Sequence, residues 1–81
     1  MKVFALIQTS IDYISDDIQT DVIGIYYDKS KAEEKIKNII NSSSNITYKT
    51  DNTVNIEVYD EEFGIIESAH ILFKIEECEI Q

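Results

Sequence analysis

The sequence predicts an α+β fold in which one helix packs on a mostly antiparallel sheet of four to five strands. Three observations lead to this prediction. Residues 22–40 join a strand pattern directly to the one convincing helical pattern. The flanking segments have the two-residue period of strands, and the connections are short and polar. The element order is β-β-α-β-β-β, and one helix on one face of a sheet is the economical arrangement. We expect residues 1–81 to form a single domain.

The first strand is predicted over residues 2–8. Val3, Ala5 and Ile7 alternate with Phe4 and Leu6, so both faces of the strand are apolar. A strand that is apolar on both faces is typical of the interior of a sheet. We therefore expect a central strand and not an edge strand.

Residues 9–20 are polar and contain no lysine. We interpret them as a loop or hairpin connection with an acidic surface. Its partial anchors are expected to be Ile11, Tyr13 and Ile14.

The second strand is predicted over residues 21–27. Gly24 weakens a strand interior, and such a glycine usually marks a bulge or the close approach of another backbone or ring. Asp28 then occupies the expected N-cap position, where its carboxylate can accept free amides of the first helical turn. Ser30 with Glu33 offers a rival capping box two residues later.

The helix is predicted from one apolar stripe at helical spacing. Residues 41–45 end it, because Asn and Ser side chains compete for backbone hydrogen bonds and Asn tolerates a left-handed cap. The stripe consists of Ala32, Ile36, Ile39 and Ile40.

Three strands are predicted in the second half, over residues 46–50, 53–59 and 65–75. A tight turn at residues 51–52 and a turn at residues 60–64 separate them, and Gly64 is available for a positive φ. Residues 76–81 either extend the last strand or fray. The core face of that strand is expected to comprise Ala69, Ile71, Phe73 and Ile75.

The charge excludes some partners. Sixteen acids against seven lysines give a net charge of −9. A field of this sign disfavours direct binding to nucleic acid or to an anionic membrane, since both need basic contacts. The lone Cys78 allows no internal disulfide, and the apolar segments are too short for a membrane span. We expect a cytoplasmic protein of a bacterial or phage-infected cell.

The sequence offers no catalytic, metal or cofactor motif. His70 and Cys78 are the only His and Cys, and on one strand they would be more than about 25 Å apart, too far to form a dyad. The acids lack the spacing of a calcium loop, and two glycines make no phosphate loop. We therefore predict a protein that is not an enzyme and has no cofactor.

The charge is unevenly distributed along the chain. Four of the seven lysines but only three of the sixteen acids lie within residues 28–41. Outside the helix, acids are either ordinary solubilising surface or a binding face for a basic partner. The predicted partner-binding residues are Asp12, Asp16, Asp17, Asp60, Glu61, Glu62, Glu76, Glu77 and Glu79.

Two stretches carry a family resemblance: Lys2-Val-Phe-Ala-Leu, and Ile23-Gly-Ile-Tyr-Tyr-Asp-Lys-Ser-Lys-Ala-Glu-Glu-Lys-Ile. The first half of the chain resembles small phage and bacterial domains with K-V-Y-x-L followed by I-G-V-Y-S-S-x-x-x-A-E-E-A-I. The resemblance implies a β-β-α core and transfers no active-site residue. By size and acidity the chain is also similar in kind to phage anti-defence proteins, including anti-CRISPR proteins.

The function predicted from the sequence is a non-enzymatic inhibitor that occupies a basic nucleic-acid-binding surface of a host protein. Two alternatives remain open. One is a structural subunit or homodimer formed by sheet-edge pairing. The other is a regulatory domain that senses a small ligand, which requires a pocket.

Overall fold

The computed structural model describes residues 1–80 and shows one helix on a five-stranded sheet. The strands follow the order β2-β1-β5-β4-β3, and every neighbouring pair is antiparallel. The predicted α+β class and element order are therefore confirmed. The elements are β1 (Lys2–Asp12), β2 (Asp17–Tyr26), α1 (Lys29–Ser42), β3 (Ile46–Lys49), β4 (Thr53–Asp60) and β5 (Gly64–Glu79).

The two longest strands lie in the interior of the sheet. β5 has 16 residues and pairs with both β1 and β4, whereas β1 pairs with β5 and β2. The prediction that the first strand is interior is confirmed. The tail also continues β5 as far as Glu79, while Gln81 lies outside the described residues.

Of the two interpretations of residues 9–20, a loop or a hairpin connection, the structure shows the hairpin. Thr9 pairs with Thr20 and Ser10 with Gln19, so only residues 13–16 separate β1 from β2. The polar residues continue the ladder because each pairs with a polar residue opposite. Of the expected anchors, Ile11 is half-buried, but Tyr13 and Ile14 are exposed in the turn.

Gly24 marks a bulge, as predicted. Leu6 pairs with Gly24 whereas the next residue, Ile7, pairs with Val22, so Ile23 is the extra residue. A Cβ placed on Gly24 would lie 2.8 Å from the Tyr26 ring. Gly24 therefore serves both purposes that the sequence suggested, a bulge and the close approach of a ring.

Asp28 is the N-cap, and the rival Ser30–Glu33 box is not used. The Asp28 carboxylate accepts hydrogen bonds from the Ser30 amide at 3.0 Å and from its hydroxyl at 2.9 Å. At the other end the Ser42 and Ser43 hydroxyls donate to the Ile39 carbonyl. The helix thus begins and ends on short polar side chains that satisfy free backbone groups.

The helix covers one face of the sheet. Leu6, Val54 and Phe73 are fully buried and pack with Ile36 and Ile40 of α1. Paired residues of antiparallel strands lie on the same face, so the register assigns every strand residue to this covered face or to the opposite, open face. Of the other predicted core residues, Ile39, Ile71 and Ile75 are partly buried against this cluster, and Ala69 is half-buried outside it.

One half of the open face, formed by β1, β2 and the adjoining part of β5, is lined by apolar side chains. Ile7 pairs with Val22 and Ile11 with Ile18, while Leu72 pairs with Thr9, which places all of them opposite the helix. No element among residues 1–80 packs on this half. No helix in the described part of the chain has the length and apolar character needed to span a membrane.

Candidate protein-binding site at the hairpin end

Two turns protrude from the same end of the sheet, which we call the hairpin end. They are residues 13–16, between β1 and β2, and residues 61–63, between β4 and β5. The Tyr13 amide donates to the Ser68 carbonyl at 2.9 Å and ties the first turn to β5. Since Asp12 pairs with Ala69 and β5 begins at Gly64, the β4–β5 hairpin extends five residues, about 16 Å, past Asp12.

The two turns begin in the same way. Asp12 Oδ1 accepts from the Ile14 amide at 2.9 Å and from the Ser15 amide at 3.3 Å. Asp60 Oδ1 accepts from the amides of the second and third following residues at 2.8 and 3.1 Å. An Asp side chain that accepts amides two and three residues ahead fixes a tight turn. Asp12 and Asp60 therefore have a structural role in addition to their charge.

The turns also end in the same way, on a residue in the left-handed region. Asp16 has φ +58° and Gly64 has φ +82°. Glycine adopts this conformation without steric cost, and Asp is among the few other residues that tolerate it. Gly64 was predicted from the sequence for this role, whereas Asp16 was counted only as an acid.

Hydrogen bonding keeps the first turn charged. The Ile14 amide, followed by the Ser15 amide and hydroxyl, lowers the pKa of Asp12 below its ordinary value. A carboxylate that accepts such donors is stabilised in its charged form. The turn therefore carries negative charge at neutral pH and below.

Six of the nine predicted partner-binding acids lie at the hairpin end. The other three lie at the far end of β5, where Lys2 pairs with Glu79 in the register. The ten residue-to-residue steps from Lys2 to Asp12 separate the two ends by about 33 Å. The six are Asp12, Asp16, Asp17, Asp60, Glu61 and Glu62.

The three distant acids are partly neutralised. Glu79 lies 3.4 Å from the N-terminal ammonium, and Glu77 lies 3.6 Å from the Lys2 ammonium. Both pairs are exposed, so each contributes little to stability. Glu76 faces the open side, since it pairs with Ala5. These acids form no common surface with the hairpin end.

The hairpin end contains no lysine. None occurs in residues 3–28 or 50–73, which contain both turns and most of the strands that lead to them. The helix holds four lysines, one of which, Lys31, lies 3.9 Å from Glu34. The molecule is therefore electrostatically polar, with uncompensated negative charge concentrated around the two turns.

Exposed aromatic side chains accompany these acids. Phe63 is 75% exposed within the second turn, and Tyr13 is exposed in the first. Tyr59, Ile14 and Ile65 are exposed beside them. Phe63 is not among the residues predicted from the sequence, although a Phe between two Glu and a Gly in a turn is an available signal. Aromatic residues are enriched at protein interfaces, whereas a solubilising turn has no need of them.

The residues capable of catalysis lie apart. The His70 imidazole is hydrogen-bonded through Nδ1 to the Asn55 side chain. His70 pairs with Ile11 and Cys78 with Val3, which separates them by eight positions along the sheet. Within residues 1–80 no three His, Cys, Asp or Glu side chains converge in a way that could hold a metal ion.

One groove lies away from the hairpin end, between α1 and the turn at residues 50–52. It has a volume of about 1030 Å³ and is wide open to solvent. Ile36, Ile40 and Phe73 form its apolar part, and Lys37 and Lys49 line its rim. The groove is a surface concavity, and the alternative of a small-ligand sensor stays a prediction.

Comparisons with known proteins identify no relative of this chain. No protein-family model matches the chain, and searches of curated proteins and of solved structures find no significant match. The resemblance to phage and bacterial β-β-α domains therefore stays a prediction.

Proposed function

We propose that the protein is a non-enzymatic binding protein that attaches through its hairpin end to a basic surface of another protein. One observation carries the proposal: two protruding turns combine six acids with exposed aromatic side chains, and no lysine lies near them. Neither the far end of the sheet nor the helix has this combination.

The two kinds of side chain have different tasks in such a complex. Acids steer the encounter with a basic partner and accelerate association at low salt. Aromatic anchors that become buried supply most of the affinity. Phe63 is suited to this because it projects from the longer hairpin, between Glu62 and Gly64. The acids around it would form the charged rim of the interface.

The partner class that fits this chemistry is a nucleic-acid-binding protein. Its basic groove normally contacts phosphates, and the carboxylates of the two turns could occupy that groove instead. The protein would then act as an inhibitor that competes with DNA or RNA, in the manner of anti-CRISPR proteins. Direct binding to nucleic acid would be disfavoured by the net charge of −9.

The experiment compares two fourfold charge reversals with the unaltered protein. The test variant changes Asp17, Glu61, Glu62 and Glu67 to Lys, which leaves the turn-forming aspartates Asp12, Asp16 and Asp60 in place. The matched control changes the same number of acids elsewhere on the surface, namely Glu33, Glu34, Glu76 and Glu77. Each protein is used to capture binding partners from host lysate at low and at high salt.

We expect a set of basic proteins to be captured at low salt, released at high salt and lost only with the test variant. Added DNA or RNA should displace the same proteins in a purified competition assay. Capture that does not depend on salt, or that both variants abolish equally, would contradict the proposal.

A second variant tests the anchor separately from the charge. Phe63→Ser removes the aromatic side chain but no charge, and the exposed position makes folding insensitive to it. We expect at least a tenfold weaker complex with an unchanged salt dependence, because a central aromatic contact accounts for about 2 kcal/mol or more. Leu72→Ser, on the open face, is the control.

A further inference from the structure

The edge strand β2 is open to pairing over the residues that precede its bulge at Ile23. Within residues 1–80 it forms hydrogen bonds only with β1, and seven consecutive residues, 17–23, are exposed. An unpaired edge presents free amides and carbonyls to any chain that can align with it. Proteins commonly protect such edges with lysine or proline, and β2 contains neither.

The opposite edge is protected. β3 has only four residues, its pairing with β4 is interrupted by a bulge, and it ends on Lys49. Short length, bulges and lysine all discourage edge pairing. The sheet therefore has one closed edge and one edge that can accept another strand.

The side chains of β2 favour pairing over solvation. Ile18 is 69% exposed and Val22 is 60% exposed, both on the open face. They continue the apolar half of that face, since Ile18 adjoins Ile11 and Val22 adjoins Ile7. A neighbouring strand on the β2 side would cover the flanks of both.

A second copy of β2 matches this edge in one register. A two-fold axis perpendicular to the sheet makes the strands antiparallel and requires paired residues to face the same way. Centred on Thr20, the axis pairs Thr20 with its counterpart, Ile18 with Val22, and Gln19 with Asp21. Threonine pairs and apolar pairs are both favourable across strands.

The neighbouring registers are worse. An axis at Gln19 would place Asp17 opposite Asp21, and an axis at Asp21 would place that residue opposite itself. Like charges directly opposite each other destabilise a strand pair. Moving the axis to Val22 would bring the bulge at Ile23 into the middle of the ladder. Of the axes at Gln19, Thr20, Asp21 and Val22, the one at Thr20 avoids both problems.

From these features we infer that the protein forms a homodimer by antiparallel pairing of β2 with β2 of a second copy, centred on Thr20. The result is a continuous ten-stranded sheet with a hairpin end at each extremity of the central pair. Thr20 already lies 3.2 Å from Thr9, hydroxyl to hydroxyl, so the centre of the dimer is a row of four threonines. This inference is independent of the proposed function, because it uses a different edge of the molecule.

Cross-linking tests the register. Residues directly opposite in an antiparallel pair have Cα atoms about 4.5 to 5.5 Å apart, within the range of a disulfide. In a Cys78→Ser background, Thr20→Cys should give a covalent dimer under mild oxidation. Gln19→Cys is the matched control, since its counterpart is Asp21 and two Gln19 positions lie farther apart. Cross-linking of Gln19→Cys with none at Thr20→Cys would overturn the register.

The mass in solution tests the dimer itself. Light scattering or sedimentation should give the mass of two chains for the unaltered protein. Ile18→Lys and Val22→Lys should each weaken dimerisation at least tenfold, because they place ammonium groups at the apolar pairs. Leu72→Lys, on the open face but on an interior strand, should leave the dimer intact. A monomer at millimolar concentration, or a dimer that only Leu72→Lys disrupts, would overturn the inference.

Salt separates this inference from the proposed function. Across the dimer Asp17 and Asp21 are diagonal neighbours, about 7–8 Å apart. Salt screens this repulsion, so the dimer should tighten as salt rises. Binding of a basic partner at the hairpin end should weaken over the same range, and a dimer that dissociates with salt would count against β2 pairing.

Discussion

The covered and open faces of the sheet differ most clearly at two neighbouring residues of β5. Phe73 is 2% exposed beneath the helix, whereas Leu72 is 39% exposed on the other face. Both are large apolar residues on the same strand, so composition does not distinguish them. Among residues 1–80 only the covered face has a second layer, and the strand side chains that leave water completely, Leu6, Val54 and Phe73, lie there. Stability is therefore concentrated on one face, and the other is free for binding.

The largest expected effect is at this pair of residues. Phe73→Ala removes a fully buried ring from the centre of the core and should lower the free energy of unfolding by about 3–5 kcal/mol. That is a large share of the roughly 4–12 kcal/mol expected for a chain of this size. Leu72→Ala should cost less than about 1 kcal/mol, as is usual for surface positions. Urea denaturation of both variants measures the difference, and equal losses would mean that the open face is also packed.

A second pair of neighbours, Gly24 and Ile25, repeats the comparison on β2. Gly24 faces the helix side opposite Leu6, and Ile25 faces the open side opposite Ala5. In Gly24→Ala the new methyl group meets the Tyr26 ring and should destabilise the protein by about 1 kcal/mol. Ile25→Ala should have a smaller effect because the side chain is exposed.

The cause of the Gly24 effect can be checked in a second background. Tyr26→Leu keeps an apolar side chain on the covered face but removes the ring that lies closest to Gly24. In that background Gly24→Ala should cost much less, as measured by a double-mutant cycle in urea. An undiminished cost would show that the bulge itself, and not the ring, requires glycine.

The covered face was largely predictable from the sequence. The stripe Ala32, Ile36 and Ile40 and the strand residue Phe73 are apolar at the period of their element, and all four are buried. Asp28 and Gly64 were predictable for a related reason, because helix caps and positive φ angles demand particular residue types. In these cases the local chemistry determines the local structure.

The open face and the hairpin end were less predictable because they depend on register. Residues 9–20 look like a loop until Thr9 and Thr20 are seen as partners. Likewise the acids of residues 76–79 could not be separated from those of the turns without knowing that β5 runs for 16 residues. Pairing between distant strands, which no local pattern specifies, decides which acids share a surface.

Stability at the hairpin end should depend on backbone conformation and not on burial, since the residues of both turns are exposed. Asp16→Gly should stabilise the protein by up to about 1 kcal/mol, because glycine relieves the left-handed strain at φ +58°. Gly64→Ala should destabilise it by about 1–2 kcal/mol at φ +82°. Thermal unfolding of the two variants should therefore shift in opposite directions. A destabilised Asp16→Gly protein would show that the Asp16 side chain makes a contact that outweighs the strain.

The smallest expected effect is a pH dependence that again separates the covered face from the hairpin end. At the start of the helix, the hydroxyl and amide of Ser30 lower the pKa of the N-cap Asp28. In the first turn, the amides of Ile14 and Ser15 lower the pKa of Asp12. A carboxyl whose pKa is lower in the folded state adds stability above its unfolded pKa of about 3.9, and this contribution disappears as the pH falls through the folded value.

Asn accepts the same hydrogen bonds but does not titrate, so Asp28→Asn and Asp12→Asn should each flatten the dependence of stability on pH below about pH 5. Amide exchange measured at pH 5 and pH 3 should assign the change to α1 in the first variant and to the β1–β2 hairpin in the second. A change that spreads over the whole sheet in both variants would indicate that the two regions unfold as one unit.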